Sequence, residues 1–486
     1  MGRTVETRMK SALSDPSAWR METPERRNWL PLAVVSGALV AGGLVALGGA
    51  NALLIGLSLL VFAFVLLDFR IGVVLLVILT PISTSTLLPH SIGGITGLNP
   101  FNLLLLETLA AALLRGVSGR RMMPRPLVWL YLAPMILAAA VGAQHVHEIP
   151  AELIGDELLS FDNAPGYLRD VLVKPLLTVV VALLAGAAAA RSKAPERMLF
   201  PVLISIFTMC MLAIVFVLYS GVSLEKLAGS ESREFFQPLG IHANDLGRLY
   251  TFAYALLLFA WTGSRGGAMK IALGLGALLA VVALVCTFSR SAFLGFVVVN
   301  GLFLLSRGMG AGLFFGAAAL AVLVLLLPGA VFDRVTMGWG LGLNAISAGR
   351  MEEIWLPLLP ELWRHPLIGN GLGSIAWSDA MRSGRVILVT HPHNAYLQTF
   401  LDMGVVGLAM LGAYFVHVWR EFRRLSRDPD TSPTLRGFFA GAAAGLVSLM
   451  LSGISGGGLT PGLEQSFLWL AIGMMYGRRH ANAKEA

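Results

Sequence analysis

KIALGLGALLAVVALVCTF, Lys270–Phe288, decides the fold. After Lys270 the stretch carries no charge, and as a helix it extends roughly 28 Å, close to the ~30 Å of a bilayer core. A continuous apolar run of this kind argues against a membrane barrel, whose strands alternate apolar and polar side chains. The rest of the chain agrees: 56% of its residues are hydrophobic and 13% charged, with mean hydropathy +0.74. Soluble domains carry about 25% charged residues. The expected fold is an all-α polytopic membrane protein.

Apolar segments begin near Trp29, Ala52, Ile71, Phe101, Leu127, Val171, Met198, Leu246, Lys270, Ser291, Ala311, Tyr396, Leu435 and Leu463. They give about 12–14 transmembrane helices. Basic residues fall in alternate connections: Arg70, Arg115 with Arg120 and Arg121, Arg191 with Lys193, Arg265, Arg307, Arg420–Arg427, Arg478 and Arg479. By the positive-inside rule these connections are cytoplasmic, which puts both termini inside and every long loop outside. The expected organisation is a cytoplasmic tail over 1–28 leading into a signal-anchor helix and helices over 29–327. A long outer loop with short helices follows over 328–395, then the last helices over 396–477 and a cytoplasmic tail over 478–486. The net charge of +8 is therefore an orientation signal, and nucleic acid is not an expected partner. No P-loop is present for a nucleotide. Cys210 and Cys286 both lie in apolar runs and are read as inert thiols.

The polar residues left over gather in the outer connections. In THPHNAYLQ (Thr390–Gln398), Asn394 suits the N-cap of the following helix, so His393 lies just before a helix N-terminus. The partial positive charge there favours a neutral imidazole, the form a general base needs. On this ground a general base and a loop-capping histidine both stay open, and a metal site lacks further ligands. Arg290, in TFSRSAFLG, sits at a tight junction between two apolar runs, and Arg350 lies in the outer loop. Their guanidinium forks suit phosphate, and Arg248 in GIHANDLGRLY is a third candidate. The glycines of GNGLG (Gly369, Gly371, Gly373) fit an anion-binding nest or a tight turn for close packing, and the turn is expected. Residues 351–363 have the spacing of a short surface helix interrupted by Pro357 and Pro360. Glu107, near mid-span, is expected to pair with Lys174 or Arg248 and hold helices together.

TFSRSAFLG, GRMEEIW, HPLIGNGLG and HPHNAYLQTFLDMGVVG, in that order, resemble the O-antigen ligase and polysaccharide polymerase superfamily of bacterial inner membranes. The resemblance spans roughly Gly240 to Leu411, and the order of the motifs is more specific than any one of them. It implies a GT-C-like membrane glycosyltransferase that uses a polyprenyl-pyrophosphate-linked glycan donor and needs no metal or other cofactor. It implies His393 as general base and Arg290 and Arg350 as pyrophosphate ligands, with Arg248 a further candidate. Asn394, Tyr396, Ser289, Gly369 and Gly371 would shape the site, and His391 has no implied role. The expected partners are that donor, a lipid A–core or growing-glycan acceptor, and membrane lipids. The expected place is the inner membrane, with the site facing the periplasm. A polymerase with the same donor chemistry is the alternative, and a flippase for lipid-linked glycan is the alternative outside enzymes. The clustering of the candidates on one face argues against a flippase, which would bind near the midplane between repeated halves.

Overall fold

The computed structural model describes residues 30–485 except 86–87, 90, 93–94, 98, 118–122, 155–157, 223–225, 227–234, 307–328 and 388. These residues form an all-α polytopic membrane protein. Among them the only paired strands are two-residue segments, Ser91–Ile92 antiparallel to Ile95–Thr96. The main helices are α1 (Leu30–Leu67), α2 (Phe69–Leu79), α3 (Pro100–Leu114), α4 (Leu127–Gly142) and α5 (Ala164–Ala190). They continue as α6 (Leu199–Ser220), α7 (Ala243–Gly263), α8 (Gly267–Cys286) and α9 (Arg290–Ser306). The last three are α10 (Ala395–Leu425), α11 (Pro433–Ser452) and α12 (Ser466–Glu485). α1 breaks at Gly48–Gly49, so its halves are the segments expected from Trp29 and Ala52. The helix expected from Val171 begins earlier, at Ala164, because Asn163 accepts the Gly166 N–H and Pro165 suits the first turn. The tail over 1–28 and the segment from Ala311 lie outside the described residues.

Among the described residues, five helices are long and apolar enough to cross a membrane: Ala164–Ala190, Pro195–Ser220, Gly267–Cys286, Ala395–Leu425 and Pro433–Ser455. Others are shorter. α3 has 15 residues and spans about 22 Å. α7 is long, but its first turns carry Asn244, Asp245 and Arg248, and these lower its hydropathy.

Glycines set how closely the helices pack. Gly437, Gly441 and Gly445 recur every fourth residue along one face of α11. A Cβ on Gly437 would lie 2.3 Å from the Phe259 carbonyl oxygen, and one on Gly441 2.4 Å from that of Ala255. Small residues at this spacing let two membrane helices meet backbone to backbone. Because Gly263 likewise abuts Pro433, α7 and α11 run antiparallel. The start of α7 therefore shares one end of the bundle with the end of α11. The start of α10 joins them through Gly453 and Ala395, and the α8–α9 junction joins through Gly247, Ser289 and Ala292. At the opposite end Arg115 donates to the Leu66 and Leu67 carbonyls, Arg191 to that of Arg115, and Arg478 to that of Asp430.

The HPLIGNGLG segment is built into a helix break. α10 loses helical geometry at Gly404 (φ 66°, ψ −173°). There Val405 and Val406 donate to the Pro366 and Leu367 carbonyls, while Asn370 and Gly371 donate to those of Leu401 and Asp402. Gly369 donates to His365 and Leu372 to Ala138. The amides from Gly369 to Leu372 bond carbonyls and those of Gly373 and Ser374 bond the Asp402 carboxylate, so none is left for an outside anion and the segment serves as a close-packing turn. Gly369 has φ 74°, and a Cβ on it would lie 2.3 Å from the Met403 nitrogen. Gly369→Ala is expected to destabilise the fold by about 1–3 kcal/mol, read as a lower thermal midpoint in detergent.

Residues 351–363 change pitch at their prolines, passing from a π turn (Met351–Trp355) through α (Leu356–Leu358) to 3-10 (Leu359–Trp363). Proline offers no N–H for the regular ladder, so the pitch shifts around Pro357 and Pro360. Beyond them, Arg364 bridges Glu361 and Asp379, and Arg382 reaches Glu148 at 2.6 Å. The same Glu148 takes His145 Nδ1 at 2.6 Å. These pairs border a cavity of about 60 Å3 and tie the 145–148 turn to the outer segment.

Glu107 does not make the expected pair. Lys174 binds Asp170 and Arg248 binds Asp245, and Glu107 Oε2 has no hydrogen-bond partner among the described residues.

Candidate active site

Among the described residues, three residues other than glycine have positive φ: Phe288 at 47°, Ala348 at 58° and His393 at 53°. Phe288 lies two residues before Arg290, Ala348 two before Arg350, and His393 is itself the candidate base. Such backbone is disfavoured for side-chain-bearing residues and persists only where its surroundings hold it. A disfavoured reversal therefore lies two residues before Arg290, two before Arg350 and at His393 itself.

The THPHN turn is held from several sides. Trp355 Nε1 donates to the Pro392 carbonyl at 2.8 Å. Asn394 Oδ1 accepts the Tyr396 and Leu397 N–H groups at 3.1 and 3.0 Å, as its N-cap assignment requires. The Tyr396 hydroxyl donates to the Met450 carbonyl at 2.6 Å and joins α10 to α11. Asn394→Ala is expected to cost about 1 kcal/mol of stability, measurable by thermal unfolding against the parent protein. The His391 and His393 rings meet edge to face with centroids 4.1 Å apart. Among the described residues no three His, Cys, Asp or Glu side chains group so as to hold a metal ion.

The arginines approach this turn from separate elements. Arg350, directly before residues 351–363, donates through Nη1 to the Ser455 carbonyl at 2.7 Å. Arg290 opens α9 and donates through Nη1 to the Met337 carbonyl at 3.0 Å. Ser289, 2% exposed, has its Oγ 3.2 Å from that of Ser291. A Cβ on Gly247 would lie 2.9 Å from the Ser289 Cβ, so the residue before Arg290 packs on the residue before Arg248. Arg248 is 5% exposed and pairs with Asp245. Its Nε and Nη1 have no hydrogen-bond partner among the described residues. It packs beside Thr251, Ser291, Ser448 and Ser452. Asp245, Arg248, His242 and Arg350 all act electrostatically on His391. Arg248 and Arg350 thus lie within electrostatic reach of His391, and Ser289 and Ser291, which flank Arg290, pack beside Gly247 and Arg248. Gly369 and Gly371 stand apart, in the α10 break.

One segment of the site escaped the sequence reading. GISGGGLTPGLEQ, Gly453–Gln465, joins α11 to α12 and closes over the arginines. Ser455 supplies the carbonyl that Arg350 grips. A Cβ on Gly457 would lie 2.8 Å from the Arg248 guanidinium carbon, so only glycine backbone fits over that side chain. Gln465 Nε2 donates to the Gly458 carbonyl and Tyr131 to that of Leu459. The run of three glycines between two apolar helices was the available signal. His242, which accepts the Asn244 N–H at the start of α7, and Asp245 were likewise passed over.

The chain matches no curated protein. Residues 275–412 match the family model described as O-antigen ligase, a stretch that takes in the second half of α8, α9, the outer segment and the first part of α10. It contains Arg290, Arg350, His391 and His393, whereas Arg248 and the Gly453–Gln465 loop lie outside it. Over residues 275–412 the chain is thus similar to the O-antigen ligase family, and the ordered motifs from TFSRSAFLG to HPHNAYLQTFLDMGVVG all fall within that stretch.

Proposed function

We propose that the protein moves a glycan from a polyprenyl-pyrophosphate donor to a hydroxyl of lipid A–core. The transfer takes place on the periplasmic face of a bacterial inner membrane, needs no metal and inverts the anomeric carbon. The observation that carries this reading is that Arg248 and Arg350 lie within electrostatic reach of His391, whose ring meets that of His393, at the end of the bundle where Arg290 also lies. Cations suited to a diphosphate and an imidazole suited to a hydroxyl proton are what the reaction asks for.

The chemistry follows from those groups. Pyrophosphate leaves readily once its growing negative charge is held. Arg290 and Arg350, with Arg248 behind them, hold it in a partly dehydrated pocket, where fixed charges act most strongly. His393 accepts the proton of the acceptor hydroxyl as its oxygen attacks the anomeric carbon. Attack opposite the leaving pyrophosphate inverts that carbon. Asn394 and Tyr396 fix the turn, and Ser289 seats the start of α9.

The test is glycan transfer by purified protein in nanodiscs. A lipid-pyrophosphate glycan is supplied with or without lipid A–core, in the presence of a chelator. Transfer to lipid A–core is the expected result. Chain growth without lipid A–core would make the protein a polymerase. Movement of the donor across the bilayer with no transfer would make it a flippase.

A further inference from the structure

His391 belongs to the THPHN turn, yet the reaction above gives it no task. Its ring meets that of His393 edge to face, with centroids 4.1 Å apart and planes at 60°. The backbone fixes this contact. The two histidines flank Pro392, whose ring restricts φ and whose carbonyl is held by Trp355. His393 is in the left-handed region, and Asn394 is tied to the start of α10. The Thr390 hydroxyl lies 3.3 Å from His391 Nδ1. The charged and titratable groups facing His391 are His393 on its own turn, Asp245 and Arg248 from α7, His242 at the α7 cap and Arg350 from the outer segment. Burial, joined by Arg248, His242 and Arg350, pushes the His391 imidazole below the usual histidine range, against the pull of Asp245. It is therefore neutral at pH 7. A neutral aromatic ring in such contact favours a cation beside it.

We propose that His391 is a positioning residue for the transfer: it fixes the ring plane of His393 and supports the positive charge His393 takes on. The inference rests on the reading of His393 as the base. In the step, the acceptor hydroxyl proton passes to the His393 ring as the new carbon–oxygen bond forms. The bond to pyrophosphate breaks with its electron pair on the leaving oxygen. His391 gains and loses no proton.

The test compares His391→Leu and His391→Phe with the parent, full-length in nanodiscs. Leucine removes the ring contact, and phenylalanine keeps it. His391→Leu is expected to lower kcat about tenfold and leave the KM for donor within about twofold. Loss of support for the cation should also move the acidic limb of the kcat profile to lower pH by about half a unit. His391→Phe should restore most of both. A leucine variant with the parent's kcat and pH limb would overturn the inference, as would leucine and phenylalanine variants equally impaired, or a rise in KM alone. Titration of the His393 ring by NMR, without substrate, gives an independent reading. A lower midpoint in His391→Leu supports the ring contact, and an unchanged midpoint overturns it. If the parent transfers no glycan, the functional reading fails while the titration still decides the role of the pair.

Discussion

Replacing His393 with alanine is expected to lower transfer about 10²–10⁴-fold and leave donor binding intact. In the proposed reaction the acceptor hydroxyl loses its proton as it attacks, and the imidazole just before α10 would take it. The turn survives the change because its restraints lie elsewhere: Trp355 on the Pro392 carbonyl, Asn394 on the Tyr396 and Leu397 amides, and Tyr396 on Met450. Alanine at a position with φ 53° adds no side chain to clash. Parallel measurements of kcat and of donor Kd separate the roles. A loss of kcat with unchanged Kd marks a base, whereas loss of both would make His393 part of the donor's seat.

Arg350→Ala should have the second-largest effect, a loss of about 10²-fold in kcat/KM. One nitrogen of its guanidinium is tied to the Ser455 carbonyl, which fixes the plane of the fork for phosphate. Lysine carries the charge without that planar, two-point grip, so Arg350→Lys should recover only a small part of the loss. Arg290→Ala should behave alike, since Arg290 is also tied through Nη1, to the Met337 carbonyl. Full recovery by lysine at either position would mean that charge alone matters and would remove the oriented grip from the account.

The fold was legible because a bilayer leaves little choice. Apolar runs such as Lys270–Phe288 must satisfy their own backbone groups, so run length alone marks each helix. What the runs do not encode is depth. α3 and α2 are too short to span alone, and α5 starts early because a polar cap at Asn163 extends it into the loop. In the candidate site the Asn394 cap was legible, because a helix N-terminus needs a short side-chain acceptor; the roles of His393, Arg290 and Arg350 are proposals. The close-packing role of GNGLG was legible too, although the partner, a break in α10 at Gly404, was not. Glu107 misled because a lone intramembrane carboxylate suggests a cation partner, and both candidates, Lys174 and Arg248, have closer carboxylates on their own helices. The Gly453–Gln465 loop was missed because glycine-rich connections between membrane helices are usually turns. Its task depends on Arg248 and Arg350, which are far from it in sequence.

The most direct test is release of polyprenyl pyrophosphate coupled to glycan transfer, in nanodiscs with lipid A–core and chelator, for the parent and His393→Ala. The account predicts stoichiometric release and transfer by the parent, inverted configuration in the product, and loss of both in the variant with donor still bound. Transfer by His393→Ala at the parent's rate, or retained configuration in the product, would contradict it.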